Sequence, residues 1–208
     1  MFFSRERIYR VFIGIAFRYG IEMRITSGIL RNRRVNVPKQ EVRPTMESVR
    51  EAVFSSLGGT CDGLNVLDLF AGSGALGLEA WSRGAATVTF VEQHPVVWKN
   101  LQRNIEMLSG AGLGGVTCIK ADAIRWLARG GERFDLILAD PPYDLPEAMR
   151  MTLEAIARHS VLTEGGTLVY ELRSSGVVQL PTGWKIVRDK TYGKTRVMTL
   201  QLNPEDEQ

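Results

Sequence analysis

The stretch Val66-Leu-Asp68-Leu-Phe70-Ala-Gly72-Ser-Gly74-Ala-Leu-Gly77 decides how this chain is read. Val66 to Phe70 reads as a buried strand and Ala75 to Arg83 as a helix. Between them, Gly72 and Gly74 let the backbone turn sharply and let a ligand come close, while Gly77 lets the helix pack near the sheet. A lone G-x-G-x-x-G is weak. Here it follows a strand and opens a helix, which is the context the motif requires.

Working outward, the same alternation continues downstream. Val88 to Val91, Val116 to Ile119, Phe134 to Ala139 and Thr167 to Glu171 read as strands. The helices between them are Pro95 to Leu108, Ile124 to Ala128 and about Pro146 to Ser160. Lys185 to Arg188 and Val197 to Leu202, joined across Tyr192-Gly193-Lys194, read as an antiparallel pair. Short β-branched strands alternating with helices predict an α/β fold, a doubly wound and mostly parallel seven-stranded sheet ending in an antiparallel hairpin. Gly110 to Gly115 leads into a strand on the opposite edge from the ligand loops and reads as a linker. Upstream, Arg24 to Gly28 and Arg34 to Val37 predict two short strands joined by a basic turn. Arg43-Pro44-Thr45 leads into a helix that Thr45 can cap, with Val49, Val53, Phe54 and Leu57 on one face and Gly58-Gly59 at its end.

The 208 residues are 44% hydrophobic and 24% charged, near the globular average, which excludes disorder for most of the chain. Four segments are expected: an N-terminal extension or over-extended gene start at 1–22, a basic element at 23–60, the α/β domain at 61–203 and an acidic tail at 204–208. Residues 1–22 carry a net +2, residues 23–50 a net +5, and the remaining 158 a net −4. A mildly acidic body with a basic strip points to a polyanionic partner or to a solvated surface segment. Cys61 and Cys118 form no framework, so a reducing cytoplasm is expected. His94 and His159 leave too few soft ligands for a transition metal. Val11 to Phe17 is too short to span a bilayer, and no small-residue cleavage site follows it, so neither membrane nor export is expected.

In a doubly wound sheet the ligand lies beyond the carboxyl ends of the strands. Glu92 ends the second strand, where a carboxylate can accept both hydroxyls of a ribose, and Asp122 follows the third, placed for an adenine amine. NAD and S-adenosylmethionine both fit such a layout. Asp68 at the mouth of the glycine loop would repel a pyrophosphate and can pair with an ammonium, which favours S-adenosylmethionine; a helix-capping role for Asp68 is compatible with this. The candidate cofactor set is Asp68, Phe70, Gly72, Gly74, Glu92, Asp122 and Ala123, with Asp140 at its border. After the fourth strand comes Asp140-Pro141-Pro142-Tyr143. The prolines hold one carbonyl and the Asp140 carboxylate on the same point. Two acceptors gripping the N–H bonds of an exocyclic base amine can direct its lone pair at a methyl group. Tyr143 would stack on the base, so Asp140, Pro141 and Tyr143 are the candidate catalytic residues. His94 reads as a cap or surface residue, and Lys190, Tyr192, Lys194 and Arg196 as a solvated turn at least as readily as a phosphate contact.

Four motifs together carry a family resemblance. They are Arg31-Asn-Arg33-Arg34, Arg43-Pro44-Thr45 with Val49-Arg50-Glu51, Asp68 through Glu79-Ala, and Asp140-Pro-Pro-Tyr143. From Met23 to about Leu202 the chain resembles the RsmD-type methyltransferases, which methylate guanine N2 in bacterial 16S ribosomal RNA. The resemblance implies a class I methyltransferase (Rossmann-like) fold, S-adenosylmethionine as donor, and 16S rRNA or the small ribosomal subunit as partner. It also implies a basic N-terminal element that helps hold RNA. Arg31, Arg33, Arg34, Arg43 and Arg50 are the candidate phosphate contacts, with Arg43 or Arg50 alternatively clamping that element to the core. Ser27 and Asn32 stand where the family often has glycine, and Glu47 where it often has aspartate. A monomer without an obligatory protein partner is expected. A DNA adenine-N6 or cytosine-N4 methyltransferase would need a target-reading region that no segment here is long enough to be. A non-catalytic ribosome-assembly protein would not need the Asp140 loop.

Overall fold

A computed structural model describes residues 21–38, 46–110, 112–142, 147–176 and 178–203. The elements run β1 (Ile21–Arg24), β2 (Arg34–Val37), α1 (Glu47–Ser56), β3 (Asn65–Leu69), α2 (Ala75–Ser82), β4 (Thr87–Glu92) and α3 (Pro95–Leu108). Then follow β5 (Gly115–Lys120), α4 (Ala123–Leu127), β6 (Phe134–Ala139), α5 (Ala148–Arg158), β7 (Leu162–Arg173), β8 (Trp184–Tyr192) and β9 (Thr195–Leu202). β1 and β2 form an antiparallel hairpin, and the other strands one sheet in the order β5-β4-β3-β6-β7-β9-β8. The expected class I methyltransferase architecture is what the chain adopts. β3 to β7 are parallel, and β9 is antiparallel to both β7 and β8. The chain leaves β3 towards β4 and β5, then returns to β6 on the other side of β3. That reversal opens a crevice at the carboxyl ends of β3 and β6.

The central strands are apolar on both faces because both faces are covered. Val66, Val88, Phe90 and Leu138 pack against α1, α2, α3 and the hairpin. Leu67, Leu69, Val91 and Ile137 face α4 and α5. Among the described residues, no helix is long and apolar enough to cross a membrane.

Four expectations shift. The first strand of the hairpin lies at Ile21–Arg24, with Ile21 opposite Val37 and Arg24 opposite Arg34, not at Arg24 to Gly28. The chain leaves it because the Thr26 and Ser27 amides turn to Glu79, and because Gly28 adopts φ +79 against α2. A Cβ on Gly28 would lie 1.8 Å from the Ser82 carbonyl oxygen. Asn32 closes the turn at φ 67, a left-handed conformation that asparagine tolerates. β7 and β8 outrun the apolar cores that announced them. β8 is exposed along most of its length, so its residues carry no alternation to read. The Gly110–Gly115 run is more than a linker: the Gly114 carbonyl accepts the Trp81 indole N–H, and a Cβ at Gly114 would lie 2.2 Å from the Ala85 carbonyl oxygen. The Arg43-Pro44-Thr45 lead into α1 lies outside the described residues, and the N-cap position falls on Met46, whose side chain makes no cap, rather than on Thr45.

The hairpin is fastened to α2 by Glu79, which is fully buried. Its carboxylate accepts the Thr26 N–H (2.9 Å), the Thr26 hydroxyl (2.6 Å), the Ser27 N–H (3.0 Å) and the Arg83 Nε–H (2.9 Å). Arg50 approaches the same carboxylate at 3.9 Å and donates to the Arg24 carbonyl at 2.7 Å. Burial pushes the Arg50 guanidinium below its ordinary pKa, and the charge of Glu79 opposes that shift. Removing one partner of such a network leaves buried charge uncompensated. Glu79→Ala is therefore expected to lower unfolding stability by about 3–5 kcal/mol in urea titration. A loss under about 1 kcal/mol would show that the carboxylate does not hold the hairpin.

Candidate functional site

Strand register brings the expected residues to one sheet edge. Leu69 pairs with Val91 on one side and with Ala139 on the other, so Phe70, Glu92 and Asp140 come next on three adjacent strands. Glu92 pairs with Lys120 at the end of β5, and Asp122 lies two residues beyond. β3 ends abruptly because Phe70 takes φ 58, a left-handed conformation costing a non-glycine residue of order 1–3 kcal/mol. Phe70 is half-buried against the α4–α5 core layer, in which Ala123 is also buried.

The glycine loop then turns over the strand ends. Gly72 sits at φ 55 and Gly74 at φ 88. The Ala71 N–H donates to the Val91 carbonyl and the Gly74 N–H to the Ala71 carbonyl, which tie the loop to β4 and to itself. A Cβ on Gly77 would meet Phe90 Cε1 at 2.3 Å and Asp68 Oδ2 at 2.7 Å, so only glycine lets α2 lie this close to the sheet. Gly74 makes the expected sharp turn, and a Cβ there would lie 2.5 Å from Leu101 Cδ1, so its bare face also lets α3 pack against the loop.

The acidic residues do different work. Asp68 is buried, and its Oδ2 accepts the Gly77 N–H at 2.8 Å; of the two roles open from sequence, helix capping is the one seen. Glu92 accepts the Gly72 N–H on Oε2 at 3.0 Å and the His94 N–H on Oε1 at 2.6 Å. These two bonds lock the carboxylate, and each oxygen keeps a lone pair for a further donor. Asp122 is the N-cap of α4, accepting the Arg125 N–H at 2.9 Å. Asp140 is half-buried, Pro141 is buried, and Tyr143 lies outside the described residues. His94 is exposed at the N-terminus of α3 and caps nothing with its side chain.

Two residues missed in the sequence join this edge. Tyr170 in β7 pairs with Ala139, is buried, and has its phenol pushed above the usual pKa, first by burial and then by the charge of Asp140. Within an apolar strand it looked like core. Asn104 of α3 donates to the Ser73 carbonyl in the glycine loop at 3.2 Å. A polar residue in the Leu101–Leu108 stripe was the signal that could have found it.

The basic residues divide. Arg31, Arg33 and Arg34 are exposed on the hairpin. Arg33 donates to the Met107 carbonyl at 3.4 Å, and Arg34 pairs with Glu22 at 2.7 Å. Arg50 must be removed from the phosphate contacts: it is 1% exposed, and it clamps the N-terminal element through the Arg24 carbonyl and Glu79. Arg43 lies outside the described residues. At the C-terminal hairpin, Arg196 is paired with Asp189, which favours the solvated-turn reading there.

The family model described as conserved hypothetical protein 95 matches residues 23–201. The ribosomal RNA small subunit methyltransferase D of Escherichia coli K12 is 30% identical over 188 residues, covering 89% of this chain and 93% of its own. YlbH of Bacillus subtilis, described as an rRNA methyltransferase, is 34% identical over 182 residues, covering 84% and 96%. The solved structure of yhhF from Escherichia coli, described as a methyltransferase, superposes with a TM-score of 0.78 at 30% identity, covering 88% of this chain and 99% of that one.

Glu92→Ala would leave the Gly72 and His94 amides without their acceptor. The expected loss of stability is about 1–3 kcal/mol for each amide that stays buried, with faster hydrogen exchange at Gly72. Unchanged exchange at Gly72 would show that Glu92 does not order the loop.

Proposed function

Because this chain belongs to the RsmD (conserved hypothetical protein 95) family, we propose that it methylates the exocyclic N2 amine of a guanine in 16S rRNA, with S-adenosylmethionine as donor. The observation that carries this reading is the Glu92 carboxylate, locked by two backbone amides at the switch point of the sheet, with β3 between it and Asp140. The residues fit the donor. Glu92 keeps two lone pairs for the ribose hydroxyls, Asp122 borders the adenine, and Phe70 and Ala123 flank it. The Gly72–Gly74 backbone, with Asp68 beneath, meets the methionine end. When bound, S-adenosylmethionine supplies an electrophilic methyl group on a positively charged sulfur.

The chain's own residues then have defined work. The Asp140 carboxylate and the Pro141 carbonyl accept the two N–H bonds of the amine and aim its lone pair, while Tyr143 stacks on the base. Asp140 is the acceptor nearest the proton that the amine sheds. Tyr170 walls this point from below. Alignment of this kind can remove roughly 7–11 kcal/mol from a barrier. Arg31, Arg33 and Arg34, with Arg43, contact RNA phosphates. A cytoplasmic location and a monomeric state accord with this work.

Transfer of labelled methyl groups to a 16S rRNA transcript or to small subunits, followed by nucleoside digestion, tests the reading. N2-methylguanosine is expected; N6-methyladenosine, N4-methylcytidine or no transfer would overturn it. Asp140→Ala should slow single-turnover transfer by about two to three orders of magnitude, as for loss of one preorganised polar contact, with cofactor affinity barely moved. An unchanged rate would take Asp140 out of the mechanism. Replacing Arg31 and Arg33 by Gln should lower the salt slope of RNA binding by roughly 1–2 units, and an unaltered slope would return the strip to a solvated face.

A further inference from the structure

Helix α3 turns Val97, Leu101 and Leu108 to the core, and on the same face stands Asn104, fully buried. A buried amide is costly unless its polar atoms are bonded. Here Oδ1 accepts the Asn36 N–H at 3.1 Å, and Nδ2 donates both to the Asn36 carbonyl at 2.9 Å and to the Ser73 carbonyl at 3.2 Å. Both amide donors are thereby used. Asn36 lies in β2, opposite Glu22 of β1, and Ser73 lies between the two glycines of the loop. One side chain thus bonds the basic hairpin and the glycine loop at once. Leu101, just before it on α3, packs against Gly74 of that loop. Asn100 also donates to the Asn36 carbonyl, at 2.7 Å, but among the described residues it bonds nothing in the loop.

We propose that Asn104 is a positioning residue that couples the hairpin to the cofactor loop, so that RNA and cofactor tighten each other's binding. The inference rests on the function proposed above. RNA that clamps β2 fixes Asn36, and through the shared amide it fixes the Ser73 carbonyl. The cofactor then meets a loop with less ordering left to impose. Coupling of this kind is reciprocal, so the cofactor must tighten RNA binding by the same factor.

The test is calorimetric binding of S-adenosylhomocysteine to the full chain, with and without a 16S rRNA transcript. In the wild type, RNA should tighten binding by roughly fivefold or more. Asn104→Asp keeps the shape and the acceptor for the Asn36 N–H but turns an acceptor towards two carbonyls. It should weaken S-adenosylhomocysteine about tenfold and bring the RNA effect close to one. Asn104→Ala should give the same loss and serves if the aspartate variant does not fold. Asn100→Ala should keep both the affinity and the RNA effect. A merely structural role would weaken each ligand alone and leave their ratio intact. That intact ratio in an Asn104 variant, or a wild type that binds S-adenosylhomocysteine with no RNA effect, overturns the coupling. A wild type that does not bind S-adenosylhomocysteine at all overturns the functional reading, and the coupling with it.

Discussion

Helix α2 is buried from Ala75 to Ser82, without a single exposed residue. A helix in that position must be bonded at both ends and on its sides, and everything around it is arranged accordingly. At its start, Asp68 takes the Gly77 amide. On its flank, Glu79 takes the hairpin backbone at Thr26 and Ser27. At its end, the Ser82 carbonyl accepts the Ile29 N–H and the Ser82 hydroxyl accepts the Leu30 N–H. Gly77 and Gly28 are the two places where a side chain would force the helix away from the sheet and from the hairpin. The loop above β3 and the basic hairpin are thus two attachments of one rigid piece.

From that piece the site follows by register. Phe70, Glu92 and Asp140 follow the aligned residues Leu69, Val91 and Ala139 at the ends of three adjacent strands, and their environments separate their duties. Glu92 is held by backbone amides and is therefore a fixed acceptor. Asp140 stands half-buried on a proline-stiffened loop beside the buried Tyr170. Asp68, buried below the loop, accepts the Gly77 amide at the start of α2. Preorganisation of this sort, with few groups left to move, is what the proposed transfer of a methyl group to a weakly nucleophilic amine would require.

Much of this was legible in the residues. Pro95–Leu108 and Phe134–Ala139 were bounded correctly, because each is a strongly periodic or wholly apolar run with clear punctuation. The sheet-edge placement of Glu92, Asp122 and Asp140 followed from the alternation alone. What stayed hidden depended on contacts far apart in sequence. Arg50 was open between a phosphate contact and a clamp on the N-terminal element, and only its contacts with Glu79 and the Arg24 carbonyl decide for the clamp. That the bare face of Gly74 also makes room for Leu101 depends on how α3 packs over the loop. β8 lacks the alternation of a half-buried strand because it is an exposed edge, paired among the described residues with β9. Asn104 was a lone polar residue on an apolar stripe, and only the fold reveals that its three bonds reach β2 and the glycine loop.

The most direct measurement is a crystal structure of the chain with S-adenosylhomocysteine. The account requires the ribose hydroxyls on Glu92, the adenine beside Asp122, and the sulfur turned towards the Asp140 carboxylate and the Pro141 carbonyl. A ligand bound away from the β3–β6 switch point, or an Asp140 carboxylate facing bulk solvent away from the sulfur, would contradict it.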